Sequence, residues 1–440
     1  MLCTGEKVDI IILAACLLCC YYRKFWDWTG MFKLPKSNSM IPSFGTQDQT
    51  RQPFLSKVKV ATVVIALIYL CHSAMKSVFS TRWVDFPVFF TSAKKAQSFQ
   101  TLYDVTGHFQ FKYSPFIGTL FGWLFRDLDF ETASIRWIVL CFSFWIFFIL
   151  QSVKRLPNRH KSITNLSLLL VCLFINPLRL EWELGQINGF VLIVLYGTFI
   201  FSNRKTVLGD VIAALGFALA IQLKLYSLIA VPVFLFRKRG LLLILTMVWI
   251  VATTLGVLTL QRGWDAAWTE NLAWLATLTQ STGQLITDYS NISILGWVAR
   301  LTHPLVGAVV TFSVILSYVV LEWRLRERPL FQTYPRFLAA IVVLNPLVWT
   351  YWVLFLIPLV ISGSEQLIRR IQTSRGALAG LIGVMISFQM QHSRMNAAYA
   401  MFPAVIFLLW LTRPTKFLVV PTEADLPAPS NRVTTDVQAV

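Results

Sequence analysis

Charge is what this sequence has least of: Asp, Glu, Lys and Arg make up 14% of its 440 residues, against about 25% in an ordinary soluble chain. Hydrophobic residues make up 56%, above the usual proportion of about 45–50%, and they recur in runs without a long polar interval. That excludes a string of soluble domains and makes the bilayer the main solvent. There is no Walker lysine loop, no GxGxxG and no repeat of fixed period, so ATP-driven and dinucleotide chemistry lose their usual signatures. The five histidines, His72, His108, His160, His303 and His392, share no paired ligand spacing. Six of the seven cysteines (Cys16, Cys19, Cys20, Cys71, Cys141 and Cys172) lie inside hydrophobic runs, and no second Cys or His pair completes four zinc ligands with Cys16 and Cys19. No metal site, cofactor or disulfide framework is expected.

The net charge of +18 comes in short clusters between apolar runs rather than along one basic face, so it reports topology and not nucleic acid. Apolar runs of helical length fall near 8–22, 58–80, 134–152, 163–178, 188–202, 207–222, 225–236, 240–260, 304–322, 336–346, 349–363, 376–391 and 396–412. The expectation is an all-α, polytopic transmembrane bundle of about 10–13 helices, some of them broken or re-entrant because they fall short of about 20 residues. The stretch 114–126 can either cross or dip in and return. Loops 153–162, 203–205, 237–239, 323–336, 364–375 and 413–416 hold eighteen Lys or Arg against two acids, Glu327 and Glu365, which assigns them to the cytoplasm. The alternate loops 81–113, 126–131, 179–188, 261–290 and 391–395 hold eight against ten acids and are expected outside. Residues 1–57 read as a short apolar run and a basic cytoplasmic segment, without the usual small-residue cleavage site of a signal peptide. Residues 58–412 read as the membrane domain, and 413–440, rich in Pro, Thr, Asp and Ala, as a disordered cytoplasmic tail.

Polar groups that survive among such apolar runs are candidates for function. Asp85 sits in Arg82-Trp83-Val84-Asp85-Phe86-Pro87-Val88-Phe89-Phe90, where aromatic surroundings raise a carboxylate toward proton-transfer range; capping the next helix is the plainer alternative. Glu181, Glu183, Gln186 and Asn188 occupy a helix boundary, where amides serve either sugar hydroxyls or helix caps. Lys224, beside Gln222, either snorkels or holds a phosphate. Asn345-Pro346-Leu347-Val348-Trp349-Thr350-Tyr351-Trp352 is an aromatic-rich break that also suits a membrane-interface belt.

In their order and spacing these places resemble the polyprenol-phosphate-mannose-dependent mannosyltransferases, membrane enzymes of the GT-C class. The matching residues are Asp85 with Phe89, Phe90 and Ala93; Leu102-Tyr103-Asp104; Phe111-Lys112-Tyr113-Ser114-Pro115; Gly185-Gln186-Ile187-Asn188; Lys224-Leu225-Tyr226; Asn291-Ile292-Ser293; and Pro346 followed by Trp349. The resemblance covers roughly residues 60–360. It implies a GT-C-like bundle with an outward-facing catalytic loop after the helix at 58–80. It also implies a polyprenyl-phosphate-linked sugar as donor, a glycolipid or glycan acceptor, and a site on the outer face, expected in a bacterial plasma membrane. Asp85 would be the general base of an inverting transfer and Lys224 the donor-phosphate ligand. Tyr103, Tyr113, Glu183, Gln186, Asn188, Asn291 and Trp349 would contact substrate; no nucleic acid is involved.

Two departures stand out. The family usually places proline soon after this lysine, where the chain has Ser227, and relatives often keep histidine after the Trp349 position, where Thr350-Tyr351-Trp352 follow. Helix breaks at polar positions are also what a secondary transporter of a small polar or anionic solute uses, and a scaffold protein is a third reading. Polar groups gathered on one membrane face favour the interfacial enzyme.

Overall fold

The computed structural model describes residues 85–103, 110–153, 163–390 and 399–413, with some positions between 61 and 73. The apolar run 8–22, the basic segment 23–57, much of 58–80, Arg82, Asp104, His108, His160, His392 and the tail beyond Arg413 lie outside the described residues. Among those described the chain is helical, with one isolated bridge, between Asn291 and Trp349, and no strand.

The first six helices are α1 (Phe86–Gln97), α2 (Pro115–Leu124), α3 (Phe130–Val153), α4 (Ile163–Glu183), α5 (Asn188–Ser202) and α6 (Val207–Leu223). A 3-10 turn (Leu225–Ala230) leads into α7 (Val231–Phe236). Next come α8 (Gly240–Val251), a π-helical turn (Ala252–Val257), α9 (Leu258–Arg262), α10 (Trp264–Leu285), α11 (Ile294–Leu301), α12 (Pro304–Arg324) and α13 (Leu330–Leu344). A second 3-10 turn (Thr350–Leu356) precedes α14 (Ile357–Ser362), α15 (Ser364–Thr373), α16 (Arg375–Gln389) and α17 (Met401–Thr412).

Three helical stretches are long and apolar enough to cross a membrane alone: Phe130–Ser152, Gly240–Arg262 and Pro304–Arg324. Two more candidates are bent pairs, Leu166–Glu183 with Asn188–Ser202 at 110°, and Thr350–Ser362 with Ser364–Ile371 at 82°. Six shorter apolar helices of 10–17 residues complete the set among the described residues. This is the polytopic bundle expected from the apolar runs, with several crossings assembled from broken pieces. Helix α2, the ambiguous stretch at 114–126, has 10 residues and rises about 15 Å, half of a hydrocarbon core; it cannot cross alone. Within the expected loops 81–113 and 261–290 lie two helices, α1 and the 22-residue α10.

Aromatic packing seats α1. Phe86 meets Phe125 edge-on at 5.6 Å, while Phe89 meets Trp137 at 5.6 Å and Tyr113 at 5.1 Å. Asp85, immediately before α1, is thus fixed against α2 and α3. At Gly189 on α5 an added Cβ would stand 2.8 Å from the Trp145 indole of α3, so only glycine permits this approach.

A buried charge group joins the 237–239 turn to α12 and α13. Glu322, fully buried, pairs with Arg237 at 3.1 Å and with Arg336 at 3.7 Å. Arg237 also donates to the carbonyls of Val233, Leu325 and Arg328 at 3.1–3.2 Å. Removing the carboxylate strands two guanidinium groups, a loss of about 3–5 kcal/mol for a buried pair. Glu322→Ala is expected to lower the thermal unfolding midpoint of the detergent-solubilised protein markedly, whereas Glu365→Ala, at an exposed carboxylate paired with Arg369, is expected to change it much less.

Candidate active site

Asp85 precedes α1 without capping it: its side chain makes no cap hydrogen bond. The carboxylate instead accepts from Gln186 Nε2, 101 residues away. Gly185 explains how Gln186 reaches it. Its φ of 64° is a left-handed conformation that glycine adopts without cost, and it turns the chain between α4 and α5 at the 110° bend. Trp137 Nε1 donates to the Gly185 carbonyl at 2.7 Å, and Gln186 N donates to Glu181 O at 3.0 Å. Burial pushes the Asp85 carboxyl up to about 6, against the opposing pull of Lys224, Lys112 and the Gln186 hydrogen bond. Desolvation wins, and the group titrates just below neutrality while remaining mostly ionised at pH 7.

Lys224 occupies the break after α6 in an extended conformation (φ −151°, ψ 112°). Its amide donates to Ala220 O at 2.8 Å, and the Ser227 hydroxyl returns to the same carbonyl at 3.1 Å. The ammonium lies 4.9 Å from the Tyr113 ring centre and 5.9 Å from that of Trp352. It interacts electrostatically with Asp85, Glu181 and Lys112. No hydrogen bond or ion pair to the ammonium is found among the described residues.

The other expected residues divide. Gln186 hydrogen-bonds Asp85, and Lys224 and Tyr113 interact with it electrostatically. Asn188 is buried beside them: Nδ2 donates to Glu181 Oε2 at 2.9 Å and Oδ1 accepts from the Tyr226 hydroxyl at 3.3 Å. Tyr103 supports the site from behind, its hydroxyl donating to Tyr113 O at 2.7 Å. Glu183 is engaged elsewhere, by Arg179 at 2.6 Å and by the Ser73 hydroxyl at 2.6 Å. The Asn291 side chain is consumed by backbone: Nδ2 donates to Ile286 O and Pro346 O at 2.9 and 3.0 Å, and Oδ1 accepts from Ser293 N and Val348 N at 3.1 and 3.0 Å. Trp349 bridges to Asn291 through its backbone.

Three residues outside the expected set belong to the cluster. Glu181 is fully buried and interacts with Lys224; two residues from Glu183 on a helix, it faces about 200° away. The Arg179–Glu183 spacing of four was the signal that Glu183 is neutralised along its own helix. Trp352, three residues beyond Trp349, packs edge-on to Tyr226 at 4.7 Å. Lys112 interacts with Asp85, and burial draws it below the ordinary lysine value. Among the described residues no group of three or more His, Cys, Asp or Glu is positioned for a metal.

A buried carboxyl group (Glu181), a half-buried one (Asp85), two amides and two ammonium groups near the broken ends of apolar helices can accept a proton and hold an anion side by side. No curated protein and no solved structure matches the chain. A family model, glycosyltransferase family 87, matches residues 111–355, taking in Lys112, Glu181, Gln186, Lys224 and Asn291 and stopping short of Asp85. More than half of the sequence fits that model, and the chain belongs to glycosyltransferase family 87, a membrane family of the GT-C type that includes mannosyltransferases.

Proposed function

We propose that the protein transfers a hexose, and specifically mannose, from a polyprenyl-phosphate donor to a lipid-linked or glycan acceptor at the outer face of the membrane. The observation that carries this is the Lys224 ammonium, placed over two aromatic rings, interacting with Asp85, and with no hydrogen bond or ion pair among the described residues. A polyprenyl phosphate keeps its tail in lipid and brings its anion to a helix break, where that cation would receive it. The alternate loops taken together, 81–113 and 179–188 among them, hold eight Lys or Arg against ten acids, which supports the outer side.

In the inverting step the acceptor hydroxyl oxygen bonds to the sugar C1 while its proton passes to Asp85. The bond from C1 to the phosphate oxygen breaks, its electron pair staying with the phosphate. Gln186 orients the carboxylate, and Lys224 holds the departing polyprenyl phosphate. Tyr103 and Asn188 shape the walls on which Tyr113 and Glu181 rest; Asn291 joins 288–293 to 346–348 and acts by positioning. Glycosyl transfer belongs to the family; donor, sugar and membrane face are proposals.

A positioned base contributes about 10²–10⁴ in rate. Asp85→Asn keeps the size of the side chain but cannot take a proton, so turnover is expected to fall by about that factor at unchanged membrane abundance. Activity within a few-fold of wild type at equal protein level would remove Asp85 as the base.

The base works only when ionised, so activity is complete above its pKa and lost as pH falls through it. With the carboxyl near 6, kcat/KM is expected to drop about tenfold per pH unit below about pH 6. A flat profile down to pH 4.5, in a protein that stays folded, would contradict this assignment.

Lys224→Met keeps the apolar stem and deletes the charge. Its donor KM is expected to rise at least about tenfold, the scale of a lost charged hydrogen bond, with acceptor KM little changed. An unchanged donor KM would return Lys224 to a structural role.

A further inference from the structure

Lys112 has no part in the reaction as written above, yet the fold delivers it to the same place as Lys224. The segment 112–114 is pinned on three sides. Trp274 Nε1 donates to the Lys112 carbonyl at 3.1 Å. Tyr113 is buried with its ring beneath the Lys224 ammonium. Ser114 is stapled twice to Gln222, its amide donating to Gln222 O at 3.1 Å and its hydroxyl to Gln222 Oε1 at 3.1 Å. Ser114 comes two residues after Lys112 and Gln222 two residues before Lys224, so the staple fixes the two lysines relative to each other.

Like charges in a desolvated setting repel, and burial makes each costlier still. Lys112 and Lys224 interact with each other and each with Asp85, but neither ammonium has a hydrogen bond or ion pair among the described residues. Holding two such cations together, with their donors unused, suits a ligand carrying more negative charge than one cation needs.

We propose that Lys112 and Lys224 form a two-cation clamp on the phosphate, in which Lys112 takes up the charge that appears as the glycosyl bond breaks. The inference rests on the polyprenyl-phosphate donor reading. Before transfer the donor phosphate is a diester with one negative charge. Once C1 has moved to the acceptor oxygen and the bonding pair stays behind, the product is a monoester with nearly two negative charges at pH 8. Lys224 faces the charge present throughout, and Lys112 the charge gained, so Lys112 acts on kcat and product affinity more than on donor binding.

The test uses the purified full-length protein and two soluble probes: farnesyl phosphate, a monoester, and its methyl diester, which has one negative charge. Both are titrated as ligands at pH 8. Wild type is expected to prefer the monoester by about tenfold or more, the scale of one charge-assisted contact. Lys112→Met is expected to lose that preference while its diester affinity stays within about threefold of wild type, and Lys112→Arg to restore it. Lys112→Gln, with its unfolding midpoint measured, repeats the comparison should the Met variant fail to fold. A preference that survives in Lys112→Met or Lys112→Gln, while diester binding still depends on Lys224, overturns the clamp and leaves the donor reading standing. If neither probe binds wild type and Lys224→Met leaves donor use unchanged, the donor reading falls and the clamp with it.

Discussion

A charge among apolar helices has to carry its neutralising partners with it, and most of what is particular to this chain follows from how it meets that requirement. At Glu322 the charges close on one another, although Glu322 Oε1 and Arg336 Nε and Nη2 make no hydrogen bond among the described residues. Two arginines face the carboxylate, and Arg237 gives its remaining donors to three main-chain carbonyls. Around Asp85 and Glu181 the charges also balance, two carboxyl groups against Lys112 and Lys224, but the arrangement is open. The carboxyl groups take hydrogen bonds from Gln186 and Asn188, and neither ammonium group has an acceptor among the described residues. The closed group reads as architecture and the open one as a receptor, because a bound anion is what would complete it.

Broken helices supply the means. At each break the backbone leaves N–H and C=O groups that need partners, and the same polar side chains that meet this need become available to a site. Gly185 reverses the chain so that Gln186 can leave its helix and reach Asp85. The extended Lys224 projects from a gap between α6 and a 3-10 turn. Asn291 ties two such gaps together through four main-chain contacts, and the segment it secures, 346–348, leads directly into the turn that carries Trp352. Positioning residues and site residues are therefore neighbours in sequence, and one-dimensional motifs do not separate them.

That explains which parts were legible before any coordinates. The apolar runs at 188–202, 207–222 and 304–322 became α5, α6 and α12 within two residues, because periodicity and hydrophobic length act locally. Asp85, Gln186 and Lys224 were legible because an isolated polar group in such surroundings is conspicuous. Choosing between Glu181 and Glu183 required helix phase, which a motif of adjacent residues does not convey, although Arg179 four residues before Glu183 carried the clue. Lys112 stood within the Phe111-Lys112-Tyr113-Ser114-Pro115 match without being singled out as a site residue. Its importance depends on a long-range staple, Ser114 to Gln222, that no local pattern announces. Likewise Trp349 was the expected ring and Trp352 the one beside Lys224, a difference made by a 3-10 turn inside an apparently uniform aromatic run.

The two departures from the family pattern bear on the chemistry in opposite ways. Proline after the lysine would fix φ and end the helix by removing a donor. Here the Lys224 amide and the Ser227 hydroxyl both donate to Ala220 O, and Tyr226 is held between Asn188 and Trp352. Hydrogen bonds thus do the work of the missing ring, and the lysine keeps its place at the break. The missing histidine is not replaced by another proton acceptor: Thr350, Tyr351 and Trp352 fill that turn, with Trp352 stacked on Phe355. With Glu183 held by Arg179 and Glu181 by Asn188, the proposed transfer assigns the proton to Asp85, whose one hydrogen bond among the described residues, from Gln186, leaves lone pairs for an acceptor hydroxyl. Under the proposed function, loss of the histidine therefore leaves one carboxylate as the base, and the aromatic side chains in its place border Lys224, where a lower local dielectric would strengthen the hold of that cation on a phosphate.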